Sequence, residues 1–123
     1  MQSPVLSNPL RVFVVEDEIL IRMLFEDMLE ELGHKVTCAA SLFDEALAMA
    51  HTCEVDAAIL DVRLAGTEVF PVATVLAGRG IPFVFASGIT GTELPEPFRG
   101  RPIMQKPFEI GRLRDVIGQI VRA

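Results

Sequence analysis

The sequence predicts a doubly wound (βα)5 α/β domain with a parallel five-stranded sheet in the order 2-1-3-4-5. Three features point to it. Short apolar runs such as "VFVV" at Val12–Val15 and "AAIL" at Ala57–Leu60 read as strands buried on both faces. Helix-length stretches with apolar residues at helical spacing separate these runs. With 123 residues, half of them hydrophobic, the chain suits one domain with a real core. The order 2-1-3-4-5 is a common doubly wound arrangement.

Residues 1–9 read as a short frayed lead-in, and residues 10–123 as a single domain with no further output domain. Arg11–Val15 is the first strand. Glu18–Leu32 follows as a helix, on the spacing of Ile19, Met23, Phe25, Met28, Leu29 and Leu32, with Asp17 as N-cap and Gly33 as C-cap. Lys35–Ala39 is the second strand. "SLFDEALAMAHT" is a helix opened by Ser41 and Asp44 at capping-box spacing. "DAAILDV" is the third strand, followed by a loop containing Gly66. "TEVFPVATVLAGRG" is the third helix, weakened by Pro71 and closed by Gly78 and Gly80. "PFVFA" and "RPIMQ" are the fourth and fifth strands. "EIGRLRDVIGQIVRA" is the last helix, with Ile110, Leu113, Ile117 and Ile120 on one face. Between the last two strands, "SGITGTELPEPFRGRP" carries Gly88, Gly91, Gly100, Pro95, Pro97 and Pro102. Interior glycine and proline cost a helix about 1 and about 3 kcal/mol, so this stretch is expected to hold a short, irregular or mobile helix.

The net charge of −6 argues against a nucleic-acid partner, which needs a basic face. No apolar run approaches the ~20 residues of a membrane span, and the N-terminus does not read as a signal peptide. A cytoplasmic location is expected. Cys38 and Cys53 fit no metal or redox spacing and read as buried apolar filler in a reducing compartment. His34 and His51 form no cluster. Each is placed at a helix end or the turn after it, without a catalytic role.

Chemistry in open parallel sheets sits beyond the carboxyl ends of the strands. Those ends carry Glu16 and Asp17, Asp61, Ser87 and Lys106 on four adjacent strands, while the edge strand ends in Ala39, Ala40 and Ser41. Adjacent carboxylates repel and are costly to desolvate. A hard divalent cation shared by Glu16, Asp17 and Asp61 resolves this, and Mg²⁺ needs few carboxylates. Taken singly, each residue has an ordinary structural use, as a cap, turn or surface charge. Together they suit phosphoryl transfer, with Asp61 as a carboxylate nucleophile and Ser87 and Lys106 holding phosphoryl oxygens.

With these residues in place the chain resembles the receiver domains of bacterial two-component response regulators, over essentially its whole length from about Leu10. The resemblance rests on Glu16–Asp17, Asp61 in "LDVRL", Ser87 and "KPF" at Lys106–Phe108. It implies a flavodoxin-like receiver fold and Mg²⁺ (or Mn²⁺) held by Glu16, Asp17, Asp61 and the main-chain carbonyl of Arg63. It implies phosphorylation of Asp61 by a sensor histidine kinase or histidine phosphotransfer protein, a downstream protein partner, and no membrane. The chain would act on itself alone and would not be an enzyme in the ordinary sense. A cis Lys106–Pro107 bond is implied too. Two departures are notable. Ile103 stands where most receivers carry Tyr or Phe, so the usual aromatic switch is absent, and "LAGTEV" replaces the common "LPGxxG". "PFVFASG" at Pro82–Gly88 resembles the "PFxFATG" signature of the FAT GUY regulators, many of them stand-alone receivers, with Ser87 keeping the hydroxyl. Arg63 and Ile89 occupy positions that tune loss of the phosphoryl group, and apolar Ile89 implies slow autodephosphorylation.

Other readings fare less well. An aspartyl-phosphate hydrolase would need a second acid two residues after Asp61, where Arg63 stands. A flavin or nucleotide domain would need a glycine-rich loop after the first strand, which is acidic instead. A phosphate-independent scaffold, or a phosphate sink or relay, remains an alternative at sequence level.

Overall fold

A computed structural model describes residues 9–88 and 94–122. Alternation of buried strands with helices builds a five-stranded parallel sheet from β1 (Arg11–Val15), β2 (Lys35–Ala40), β3 (Ala57–Asp61), β6 (Phe83–Ser87) and β7 (Ile103–Gln105). Their order is β2-β1-β3-β6-β7, which is 2-1-3-4-5 when the sheet strands alone are counted. The central strands β3 and β6 are buried at every residue, as strands covered on both faces must be.

Strand side chains alternate between faces, so the core divides in two. Phe13, Val15, Ala58, Leu60, Phe83 and Phe85 meet α2 (Phe43–Thr52) and α3 (Phe70–Gly78). Val12, Val14, Ile59, Val84, Ala86 and Met104 meet α1 (Ile19–Glu31) and α4 (Ile110–Arg122). The last helix buries Leu113, Val116, Ile117 and Ile120, close to the face expected for it.

Several local expectations are corrected. The buried face of α1 runs through Phe25 and Leu29, with Leu32 just beyond the helix, while Ile19, Leu20 and Met23 are more than half exposed. Ile19 and Met23 therefore lie off the stripe that packs. Asp17 does not cap α1. The N-cap is Glu18, with no side-chain cap, and the Glu18 N–H donates instead to Glu16 Oε2 at 3.1 Å. The C-terminal end is as expected. Gly33 at φ 91° lets its own N–H reach the Glu30 carbonyl and the His34 N–H reach the Leu29 carbonyl. His34 lies in that turn, where its Nδ1 accepts from the Leu10 N–H, and His51 lies in the last turn of α2. At the start of α2 the backbone N–H of Ser41 donates to Glu45, not Asp44, at 3.0 Å. Pro71 falls in the first turn of α3, where the missing N–H has no partner to lose, so it does not weaken that helix.

The loop after β3 holds an unpredicted antiparallel hairpin, β4 (Arg63–Leu64) with β5 (Thr67–Glu68). Its two turn residues, Ala65 and Gly66, have φ of 50° and 88°, the pattern of a type I′ turn. Left-handed backbone costs a Cβ-bearing residue about 1–2 kcal/mol, and asparagine tolerates it better. Ala65→Asn is expected to raise stability by about 0.5–1 kcal/mol, measured by urea unfolding.

Cys38 and Cys53 are not separate fillers. The antiparallel return of α2 after β2 brings their Cα atoms to 6.7 Å, and they form a disulfide. Sequence spacing hid this, because the closing contact is made by the helix packing back on its own strand. Closing a loop of this length stabilises by about 3 kcal/mol in the chain-entropy view. Reduction, or Cys53→Ala, is expected to lower the urea midpoint accordingly, with no effect of reductant on the variant. Within residues 88–102, the described part contains only a short 3-10 turn, Glu96–Phe98. That agrees with the irregular helix expected there, while residues 89–93 lie outside the described residues.

Candidate functional site

The sheet ladder runs on past the strand ends and fixes the backbone of the candidate residues. The Glu16 N–H donates to the Ala40 carbonyl at 3.0 Å, the Val62 N–H to Ala86 at 3.0 Å, and the Lys106 N–H to Ser87 at 2.8 Å. Glu16, Asp17, Asp61, Ser87 and Lys106 are thereby gathered on one rim. The Lys106–Pro107 peptide bond is cis.

The buried charges are paired. Glu16 is fully buried, Asp61 is 6% exposed and Ser87 4%. Lys106 Nζ lies 2.7 Å from Glu16 Oε1 and 3.3 Å from Asp61 Oδ2. One ammonium thus serves two carboxylates, which a buried site requires if both are to ionise. Asp17 is exposed and accepts from the Ala65 N–H of the hairpin turn at 3.3 Å. One oxygen from each of Glu16, Asp17 and Asp61 lies within 4.8 Å of the others. Three converging carboxylates form a donor set for a hard divalent cation.

The charge balance leaves Asp61 strained electrostatically. Burial, with the Glu16 charge adding to it, pushes the Asp61 carboxyl up to about 7, against the opposing pull of Lys106. For Lys106, burial works against the charged form. The Glu16 hydrogen bond and the charges of Asp61 and Glu16 outweigh it, so its pKa is raised.

A cavity of about 520 Å³ opens above Asp61. Arg63, Ser87, Gly88, Lys106 and Pro107 line it, and so does Phe70, which sequence reasoning did not single out. Pro71 read as a weakness in the third helix; the fold shows that the residue before it, Phe70, lines the same cavity as Ser87. The Glu16–Lys106 ion pair was likewise missed, because the two residues are joined only by the strand order. Ile103 pairs with Phe85 on β6 and packs into the core on the α2–α3 side. Ile89 lies outside the described residues. Among the described residues no helix is long and apolar enough to cross a membrane.

No family model matches the chain. A curated relative, the transcriptional regulatory protein PdtaR of Mycobacterium tuberculosis, is 33% identical over 109 residues, covering 85% of this chain and 53% of that protein. The chain thus spans about half the length of the curated relatives it matches. The solution structure of SdrG from Sphingomonas melonis Fr1 is 39% identical, covers 92% of this chain and 97% of that one, and superposes with a TM-score of 0.81. The PhyR response regulator REC domain of Erythrobacter litoralis is 25% identical, covers 94% of this chain and 92% of that one, and has a TM-score of 0.77.

Proposed function

The chain belongs to the receiver domains of response regulators, and from that premise we propose that Asp61 accepts a phosphoryl group and thereby switches a protein–protein interaction in two-component signalling. The observation that carries this reading is the convergence of Asp61, Ser87 and Lys106 on one cavity beside the acidic cluster. The donor is a sensor histidine kinase or a histidine phosphotransfer protein, and the reader is a downstream protein partner. The finer resemblance, to the FAT GUY regulators, rests on "PFVFASG".

Glu16, Asp17 and Asp61, with the main-chain carbonyl of Arg63, would hold Mg²⁺. Bound there, the cation neutralises charge on the carboxylates and on the incoming phosphoryl oxygens. Asp61 must be ionised to attack, and its raised pKa means that a nearby positive charge favours the reactive form. A carboxylate oxygen of Asp61 forms the new P–O bond while the P–N bond to the donor histidine breaks. The electron pair returns to that nitrogen as a lone pair, and the proton already on the other ring nitrogen leaves the donor as a neutral imidazole. Lys106 and the Ser87 hydroxyl would hold phosphoryl oxygens, which requires Lys106 to redirect contacts now made to Glu16 and Asp61. Apolar Ile89 would keep attacking water away and slow the loss of the group.

Phosphoramidate, a small P–N donor, provides the test. With Mg²⁺ it is expected to phosphorylate the chain, and borohydride reduction of the acyl phosphate should convert Asp61 to homoserine in the peptide map. EDTA should abolish the reaction. Modification at another residue, or modification independent of metal, would overturn the assignment.

A further inference from the structure

Phe83, Phe85 and Ser87 alternate with Val84 and Ala86 along β6, so the first three share a face. Phe70, from the first turn of α3, reaches that face from the side and lines the cavity with Ser87 and Gly88. Its ring meets Phe85 edge-on, centroids 5.6 Å apart at 73°. It also lies nearly parallel to Phe98, at 6.1 Å and 21°. Phe98 is only 4% exposed and ends the 3-10 turn Glu96–Phe98. It meets Phe83 and Phe85 edge-on at 5.8 and 5.7 Å. The Arg101 guanidinium sits 4.5 Å from the Phe83 centroid and 5.8 Å from that of Phe98. A continuous run of rings therefore leads from the wall of the cavity to an exposed arginine. Ile103, the β7 residue beside Phe85, contributes no ring to it.

We propose that Phe70 couples the occupancy of the Asp61–Ser87 cavity to the position of Phe98, and through it to residues 94–101. The inference rests on the phosphorylation reading and names the side chain that transmits it. Interiors are close-packed, so a side chain that shifts must be followed by its neighbour. Ser87 and Phe70 line one cavity, so Ser87 drawn toward a phosphoryl oxygen changes the space that Phe70 borders. Phe70 can follow only by sliding on Phe85 and Phe98. Residues 94–101 are suited to respond. Leu94 and Phe98 anchor the segment in the core, while Glu96, Pro97, Arg99, Gly100 and Arg101 are exposed. A segment that is mostly exposed and buries only Leu94 and Phe98 in the core shifts at low cost. The same movement would reposition Arg99 and Arg101, changing the charged surface that a partner meets.

The experiment is amide NMR of the chain with Mg²⁺ before and after saturation with beryllofluoride, repeated for Phe70→Leu and for Phe98→Leu. In the wild-type chain, beryllofluoride is expected to shift Ser87 and Gly88 and also residues 94–101. In Phe70→Leu the shifts at Ser87 and Gly88 should persist while those at residues 94–101 fall by half or more. Phe98→Leu should do the same without altering the cavity wall, which guards against a Phe70 variant that folds poorly. A purely structural role would change the spectra in both states and leave the difference between them intact. Equal responses of residues 94–101 in all three chains would overturn the coupling. So would a wild-type chain in which Ser87 responds and residues 94–101 do not. If no amide around Asp61, Ser87 or Lys106 responds in the wild-type chain, the site reading itself fails, and the coupling with it.

Discussion

Replacing Lys106 with methionine is expected to lower the stability of the metal-free protein by about 3–5 kcal/mol, the cost of leaving a buried charge without its partner. Glu16 is fully buried, and the Lys106 ammonium at 2.7 Å is the cation paired with it. Methionine keeps much of the length and apolar stem of lysine, so the loss reports charge and not a cavity. Removing Lys106 takes away the ammonium shared by Glu16 and Asp61, while the Glu18 N–H still donates to Glu16. Urea unfolding in EDTA measures the effect. Added Mg²⁺ should restore a large part of the loss, because it would supply positive charge to the same carboxylates. A change below 1 kcal/mol in EDTA would show that the pair is not the support the geometry describes.

The second large effect is a pH dependence carried by Asp61. Burial, with the Glu16 charge, pushes its carboxyl up to about 7 in the folded chain from an ordinary value of 3.8. Between those values the folded state binds more protons than the unfolded state, so stability falls as pH rises. From pH 5 to pH 8 the metal-free chain should lose about 2–3 kcal/mol, at roughly 1.4 kcal/mol per pKa unit of difference. Lys106, whose pKa is raised from 10.5, contributes stability that is lost only above that range, so it does not produce this slope. Asp61→Asn should flatten the profile, and saturating Mg²⁺ should do so in the wild-type chain. A wild-type profile in EDTA that rises or stays level from pH 5 to pH 8 would contradict the account.

Much of this site was legible because a parallel sheet reports its own chemistry. Strands buried on both faces read as apolar runs, so the polar residues where each run ends mark the rim. Glu16, Asp61, Ser87 and Lys106 all fall there. What escaped was set by contacts between segments distant in sequence. The Cys38–Cys53 pairing depends on how α2 packs on β2. The Glu16–Lys106 ion pair spans ninety positions and needs the strand order before it can be drawn. Asp17 has good capping chemistry, yet its carboxylate is turned to the Ala65 N–H of a hairpin that no strand-length pattern announces. Phe70 beside Pro71 looked like a helix weakened at its start; the proline is at home in the first turn, and the ring faces the cavity. Local propensity located the long elements, while the cap of α1 and the short hairpin were decided by contacts across the chain.

The central claim is that Asp61 is the phosphoryl acceptor, and intact-mass spectrometry after incubation with acetyl phosphate and Mg²⁺ tests it most directly. The wild-type chain is expected to gain the mass of one phosphoryl group. Asp61→Asn should gain none, and Lys106→Met much less than wild type. A wild-type chain that gains no phosphoryl group, or an Asp61→Asn chain that gains one as readily as wild type, would contradict the account.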